Sequence, residues 1–127
     1  MSKTALIIDT SSSQAFLAIS LGGVIQKKHI IQDGKQLSKC LLPALQNLIG
    51  TDALEYIALG IGPGSFTGTR IGAVVAKTLS FALNIPVFTF SSTLLPDLDN
   101  IGSFSYEKSQ KYPPDAQIEL VYFSPTP

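Results

Sequence analysis

Residues 60–72 read Gly60-Ile61-Gly62-Pro63-Gly64-Ser65-Phe66-Thr67-Gly68-Thr69-Arg70-Ile71-Gly72 and hold five glycines and one proline. This glycine segment follows a short apolar run, Tyr56 to Leu59, and precedes a longer one, Ala73 to Leu83. A strand that feeds a helix through a glycine-rich turn is a common ligand position in α/β proteins, because backbone N–H groups at the start of the helix face an anion. The segment is therefore the first candidate for a functional site.

The spacing of these glycines excludes the two common phosphate-binding motifs. A P-loop needs a glycine followed directly by Lys and Ser or Thr, and the one cation of the segment is Arg70. The dinucleotide fingerprint Gly-x-Gly-x-x-Gly would need a glycine at Ser65 or at Thr67. The alternative is a tight connection whose glycines supply positive φ angles and close packing of strand on helix. Composition favours this packing role.

Composition describes one foldable domain with a sparsely charged surface. The chain has 127 residues, of which 45% are hydrophobic and 14% are charged, so it should bury a core rather than stay disordered. Its net charge is zero, which argues against nucleic-acid binding by this chain alone. The charged fraction is below the usual quarter of a globular protein. We therefore expect part of the surface to be covered by a partner.

The single cysteine and the apolar runs restrict the class of protein further. Cys40 is alone, which rules out an internal disulfide and a cysteine metal cluster, and its apolar neighbours predict a buried, unreactive thiol. The N-terminus lacks the apolar length of a signal peptide, and no apolar run is long enough to span a bilayer. These features predict a cytoplasmic protein with no membrane association.

Short apolar or alternating runs predict five strands and two helices. The strands are expected at Ala5 to Ile8, Ala15 to Ser20, Val24 to Ile31, Leu54 to Leu59 and Val87 to Phe90. Leucines at helical spacing predict a first helix from about Gln36 to Ile49, with Pro43 inside it. Ile71 to Leu83 predicts a second helix that is apolar nearly all round, and such a helix is buried on all sides or packs against another chain.

Composition changes after the fifth strand. The segment Asp99 to Asp115 is polar and contains glycine and proline, which predicts a loop or linker. Gln117 to Phe123 alternates enough to predict a late strand. We therefore expect a domain over residues 1–98, followed by a linker and C-terminal tail over residues 99–127.

The order of these elements predicts a single α/β domain of the ribonuclease H-like type, as in actin, Hsp70 and sugar kinases. The short turn at Thr10 to Ser13 joins the first two strands, and the Gly22-Gly23 turn joins the second and third. These three strands should therefore form antiparallel hairpins. Helices precede the fourth and fifth strands, which should therefore lie parallel to the first. The expected sheet is mixed and five-stranded, and the polar third strand should lie near its edge.

Three motifs resemble the bacterial TsaB (YeaZ) family. They are Ile8-Asp9-Thr10 at the end of the first strand, Leu41-Leu42-Pro43 in the first helix, and Gly62-Pro63-Gly64-Ser65-Phe66-Thr67-Gly68 followed by Arg70-Ile71-Gly72. The last motif is the most specific, and the resemblance covers about residues 4 to 95. The family normally continues into a second domain, so this sequence is expected to be a truncated form that lacks most of that domain.

The resemblance implies a non-catalytic subunit in the synthesis of threonylcarbamoyladenosine on tRNAs that read ANN codons. Such a subunit pairs with its paralogue TsaD, which carries the metal and performs the transfer, and with the ATPase TsaE. It meets tRNA only through the complex, holds no cofactor or metal of its own, and also forms homodimers through the same surface. The resemblance places this interface on the two helices, and the expected residues are Leu37, Leu41, Leu45, Leu48, Ile71, Val74, Val75 and Thr78.

The residues leave one further class of function open and give no support to a second. The first is a nucleotide-binding, phosphotransferase-like protein of the actin and sugar-kinase class, in which Asp9 would hold Mg²⁺ through water, although a lone acid is more often the cap of a turn. Arg70 would bind an acid of a partner or cap the loop. A metallopeptidase would need several His or Cys ligands, and His29 is the one histidine. The residues of a vestigial nucleotide site are expected to be Asp9, Thr10, Gly62, Gly64, Ser65, Thr67 and Arg70.

Overall fold

Five strands, three α-helices and one 3-10 helix make up the described part of the chain. The computed structural model describes residues 3–32, 37–95, 97–111 and 113. The elements follow in the order β1 (Thr4–Asp9), β2 (Ala15–Leu21), β3 (Val24–Ile31), α1 (Leu37–Ile49), β4 (Tyr56–Gly60), α2 (Phe66–Leu83), β5 (Val87–Phe90), the 3-10 helix (Ser92–Leu94) and α3 (Leu98–Lys111).

The strands form one mixed sheet in the order β3-β2-β1-β4-β5. β1 pairs antiparallel with β2 and parallel with β4, so Ile7 lies between Ala18 and Ala58. β2 and β3 are antiparallel, and β4 and β5 are parallel. The predicted ribonuclease H-like topology is confirmed, including the edge position of β3, because tight turns connect antiparallel strands and helical crossovers connect parallel ones.

Helices cover both faces of the sheet. Leu6 and Ile8 of β1 point to the face that α1 and α2 cover, whereas Ala5 and Ile7 point to the face that α3 covers. All four side chains are fully buried, as expected for the central strand of a sheet with two covered faces. In the described ranges, no helix is long and apolar enough to cross a membrane.

The linker predicted over Asp99 to Asp115 is wrong over the residues that α3 occupies. The Asp97 carboxylate accepts a 3.1 Å hydrogen bond from the Asn100 N–H at the start of this helix. Gly102 lies so close to the β2–β3 turn that a Cβ there would sit 2.6 Å from the Gly23 carbonyl oxygen. The buried face of α3 consists largely of small or polar residues, which hid the helical period, and its buried members are Leu98, Ile101, Gly102, Ser105 and Ser109.

The strand predicted over Gln117 to Phe123 lies outside the described residues. The division into a domain over residues 1–98 and a tail over residues 99–127 stays a prediction.

Two further predictions need correction on this part of the chain. Helix α2 begins at Phe66 rather than Ile71, because the Ser65 hydroxyl caps it by accepting a 3.1 Å hydrogen bond from the Gly68 N–H. Two glycines of the glycine segment therefore lie inside the helix. The Cys40 thiol, predicted to be buried, is exposed, because the leucines of α1 face the sheet and turn Cys40 outward.

Candidate functional site

Asp9 ends β1 at the carboxyl edge of the sheet, and its side chain is completely buried. One carboxylate oxygen, Oδ1, accepts hydrogen bonds from the Ser11 N–H at 2.8 Å and from the Ser11 hydroxyl at 2.6 Å. The other, Oδ2, accepts one from the Ser92 hydroxyl at 2.6 Å. Such donors are what a buried carboxylate needs. Asp9 therefore caps the turn after β1, the commoner of the two roles that its position suggests.

Ser92 also joins this carboxylate to the glycine segment. Its hydroxyl accepts a 2.8 Å hydrogen bond from the Gly62 N–H, and its own N–H donates to the Gly62 carbonyl at 2.9 Å. A Cβ at Gly60 would lie 1.9 Å from Asp9 Oδ2, so this position admits no side chain beside the carboxylate. Hydrogen bonds and close packing therefore hold the segments that follow β1, β4 and β5 around the Asp9 carboxylate.

The remaining glycines pack against the turn after β1. A Cβ at Gly64 would lie 2.3 Å from Ser11 Cβ, and a Cβ at Gly68 would lie 2.3 Å from the Thr10 carbonyl oxygen. The Thr10 hydroxyl donates to the Gly68 carbonyl, and the Ser65 N–H donates to the Ser11 carbonyl at 2.8 Å. The close packing expected of these glycines is confirmed, and it sets where α2 begins.

The residues predicted for a vestigial nucleotide site are divided between different places. Thr10, Ser65 and Thr67 line one cavity of about 360 Å³ with the serines of the turn after β1. Arg70 is absent from that lining and lies in the second turn of α2. The N–H groups of three residues next to the cavity donate to protein oxygens, namely those of Gly62, Ser65 and Gly68.

These contacts weaken the case for an anion cradle. A phosphate would have to displace hydroxyl and carbonyl acceptors that already bind the loop N–H groups, whereas a P-loop presents such groups to its ligand. Among the described residues, no three His, Cys, Asp or Glu side chains come together in a way that could hold a metal ion. Nucleotide binding at this cavity stays a prediction.

The four α1 leucines predicted for a partner interface are buried inside the chain. Their exposed fractions are 8% or less, and they pack on the sheet as part of the larger core. These leucines, Leu37, Leu41, Leu45 and Leu48, therefore offer no surface to a partner in this structure, and that part of the prediction is corrected. The physical reason is that an apolar stripe at helical spacing has the same pattern whether it faces a core or a second chain.

Of the four predicted interface residues on α2, two are exposed and two are half-buried. Val74 is 60% exposed and Thr78 is exposed, whereas Ile71 and Val75 are half-buried against the core. Two aromatic residues that were not predicted for the interface are also exposed on this helix, Phe66 at 57% and Phe81 at 91%. Spacing of about four residues would have found them, since it aligns side chains along one helix face. We call this exposed set the outer row of α2, and it consists of Phe66, Arg70, Val74, Thr78 and Phe81.

A shallow apolar groove of about 380 Å³ lies at the start of the outer row. The Arg70 guanidinium carbon stands 4.9 Å from the centre of the Phe66 ring, a cation–π distance. Arg70 therefore lies on the face of α2 that carries this groove, and its role as a partner-binding or loop-capping group stays a prediction. The lining residues are Phe66, Thr67, Arg70, Ile71, Val74 and Val75.

The strand order and the acid at the end of β1 define a domain of the ribonuclease H-like class, to which actin and the sugar kinases belong. A family model described as "TsaD: tRNA N6-adenosine threonylcarbamoyltransferase" matches residues 6–95. The chain belongs to this threonylcarbamoyladenosine family, and within it to the TsaB (YeaZ) group that its motifs resemble.

Relatives of known name support this assignment. The chain is 31% identical over 131 residues to the "tRNA threonylcarbamoyladenosine biosynthesis protein TsaB" of Haemophilus influenzae, covering 95% of this chain and 52% of the relative. It is 35% identical to the protein of the same name from Bacillus subtilis, covering 70% of this chain and 41% of the relative. The solved structure "YeaZ from Pseudomonas aeruginosa" superposes with a TM-score of 0.64 at 34% identity, covering 70% of this chain and 44% of the other. The chain spans about half the length of these relatives.

Proposed function

We propose that this chain acts as a non-catalytic subunit in the synthesis of threonylcarbamoyladenosine on tRNA, and that it pairs with a TsaD-type paralogue through the outer row of α2. The observation that carries the proposal is the exposed apolar surface of this helix, including a phenylalanine with 91% of its area in solvent. Large apolar side chains exposed along one helix face are typical of protein interfaces. The names of the relatives supply the pathway.

The hydrogen bonds around Asp9 at the carboxyl ends of the strands support a non-catalytic role. A phosphotransferase of this fold would need the Asp9 carboxylate for a metal ion, but both of its oxygens accept hydrogen bonds from protein groups. His29 lies exposed on the edge strand β3, away from this carboxylate. The described residues therefore supply structural order at this edge rather than reactive groups.

The remaining partners of the proposal come from the family. We propose that the ATPase TsaE joins the complex, that tRNA is met only through the complex, and that the assembly is cytoplasmic. Helix α1 would contribute through Leu42, which is 58% exposed, instead of through its buried leucines. A homodimer through the same face is the competing assembly.

Co-purification with the TsaD-type paralogue of the same organism tests the proposal. Val74→Glu places a charge in the outer row, and Val24→Glu makes the same change on β3 at a valine of matched exposure, 60% against 63%. We expect the unchanged chain and the Val24→Glu variant to co-elute with the paralogue in size exclusion, and the Val74→Glu variant to elute alone. An unchanged chain that elutes alone, or a Val74→Glu variant that still co-elutes, contradicts the proposal.

Calorimetry with Mg-ATP separates this function from the phosphotransferase-like alternative. Because the Gly62, Ser65 and Gly68 N–H groups already have protein acceptors, we expect no binding in the micromolar range by the chain alone. Micromolar binding would favour the alternative.

A further inference from the structure

The exposed surface of α1 and α2 carries basic groups and no acidic ones. Neither helix contains Asp or Glu, and each of their three cations, Lys39, Arg70 and Lys77, is exposed. In the described ranges, no carboxylate lies within ion-pair distance of Arg70. Arg70 stands at the edge of the apolar groove, beside Phe66 and one helical turn before Val74. Arg70 is therefore an exposed cation beside an apolar surface, a combination suited to an acidic group from a partner chain.

We infer that Arg70, stacked on the Phe66 ring, receives a carboxylate from an apolar helix of a different protein chain. This inference rests on the proposed function, because it names the chemistry of the partner at the same face of α2. It also favours the partner-binding alternative for Arg70 over a place in the vestigial nucleotide site.

The stacking prepares Arg70 for this role. The aromatic ring restricts the guanidinium to one plane before the partner arrives, so less side-chain freedom is lost on binding. A planar guanidinium donates two parallel hydrogen bonds to one carboxylate, which adds geometric specificity to the charge attraction. The apolar side chains around the groove exclude water from the pair and strengthen it. The matching partner helix carries Asp or Glu next to apolar residues that cover Phe66 and Val74.

Charge also distinguishes this partner from a second copy of the chain. A two-fold dimer would place this face against its own copy, and neither copy's α1 or α2 would supply an acid to Arg70. Like charges placed across an interface are costly. The face therefore fits a different, acidic chain better than it fits itself.

Titration calorimetry of the whole chain with the TsaD-type paralogue tests this assignment, at about 50 mM and about 300 mM salt. We expect Arg70→Glu to weaken binding by roughly 100-fold, because it places an acid against an acid. Arg70→Lys keeps the charge but loses the planar fork, and should weaken binding by roughly tenfold. Lys28→Glu makes the same charge change on the exposed surface of β3 and should leave the affinity within about twofold. Higher salt should weaken the unchanged complex but not the residual binding of Arg70→Glu.

The outcomes separate this inference from the proposed function. If the unchanged chain binds, Val74→Glu abolishes binding and Arg70→Glu binds normally, Arg70 is no carboxylate receptor and the proposed function stands. If the unchanged chain does not bind the paralogue, both are overturned. Sedimentation of the chain alone supplies a further check: a homodimer tighter than the complex with the paralogue, and disrupted by Val74→Glu, contradicts the preference for an acidic partner.

Discussion

The Ser92 hydroxyl donates a 2.6 Å hydrogen bond to the Asp9 carboxylate across 83 positions of sequence. The same hydroxyl accepts from the Gly62 N–H, so one serine connects the ends of three neighbouring strands. This is the edge at which open α/β sheets bind ligands. In this chain the edge is held together by hydrogen bonds between the chain's own groups. These contacts position the start of α2, the helix that carries the proposed interface.

Replacement of Ser92 should destabilise the fold. Ser92→Ala removes the donor to Asp9 and the acceptor for Gly62, so we expect a loss of about 1.5–3 kcal/mol in the free energy of unfolding, the usual contribution of a hydrogen bond to a charged group. Urea unfolding measures it. Ser12→Ala, at an exposed serine of the turn after β1, should change stability by less than about 0.5 kcal/mol. Equal effects of the two changes would show that the Ser92 contacts are unimportant.

A side chain at Gly68 should not fit. The added Cβ of Gly68→Ala would lie 2.3 Å from the Thr10 carbonyl oxygen, a backbone atom, so α2 must shift at a cost of about 1–3 kcal/mol. Thermal unfolding monitored by circular dichroism should show a lower melting temperature. Thr78→Ala on the exposed side of the same helix is the control and should not lower it, since alanine is the better helix former. A Gly68→Ala protein that melts like the unchanged one would contradict the close packing.

Adjacent valines of α2 should respond differently to the same charge. Val75 is half-buried against the core, so Val75→Glu should reduce stability in urea by more than about 1 kcal/mol. Val74 is 60% exposed, and Val74→Glu should stay within about 0.5 kcal/mol of the unchanged chain. This contrast makes Val74 the residue with which to test the interface, because its loss of binding is separable from unfolding. The reverse order of stabilities would mean that α2 is rotated relative to the structure.

Tyr56 should make the fold sensitive to alkaline pH. Burial raises the pKa of the Tyr56 phenol, and the nearby hydroxyls of Ser105, Ser20 and Ser109 oppose this rise. None of these hydroxyls forms a hydrogen bond of normal geometry with the phenol, so we take burial as the controlling cause. A pKa that is higher in the folded than in the unfolded state gives stability that is complete below the unfolded value, near pH 10, and is lost as the pH rises beyond it.

The comparison of Tyr56→Phe with Tyr106→Phe measures this sensitivity. Urea unfolding at about pH 8 and about pH 11 should show a loss of stability in the unchanged chain that Tyr56→Phe reduces. Tyr106 contributes only the smallest part of the rise in the Tyr56 pKa, so Tyr106→Phe leaves the buried Tyr56 phenol in place and should retain most of the loss. An identical pH dependence in all three proteins would remove Tyr56 as the cause.

The Cys40 thiol should react in the native protein. It is the one cysteine of the chain, and its side chain is exposed on α1. Ellman's reagent should therefore label one thiol per chain without denaturant, at a rate that urea raises only slightly. Labelling that appears only after unfolding would show that the thiol is buried, as the sequence analysis expected. Cys40→Ser provides the blank.

Local sequence patterns were enough to predict much of the fold. The Gly22-Gly23 turn predicted a hairpin, and the leucine spacing predicted α1, because both signals depend on neighbouring residues. Helix α3 was missed because its buried face contains Gly102, Ser105 and Ser109, small residues that pack closely but give no apolar period. The predicted start of α2 was too late because Gly68, a poor helix former, lies in the first turn that Ser65 caps.

The residues alone were sufficient for the strand directions and the family, since both depend on the order of periodic segments and on the spacing of one glycine-rich motif. They were insufficient for the role of each group in that motif. Asp9, Gly62 and Ser92 are far apart in the chain, and hydrogen bonding among them becomes visible only when three strand ends meet. The leucines of α1 and the outer row of α2 likewise share an apolar pattern, and packing on the sheet decides which of them is left to a partner.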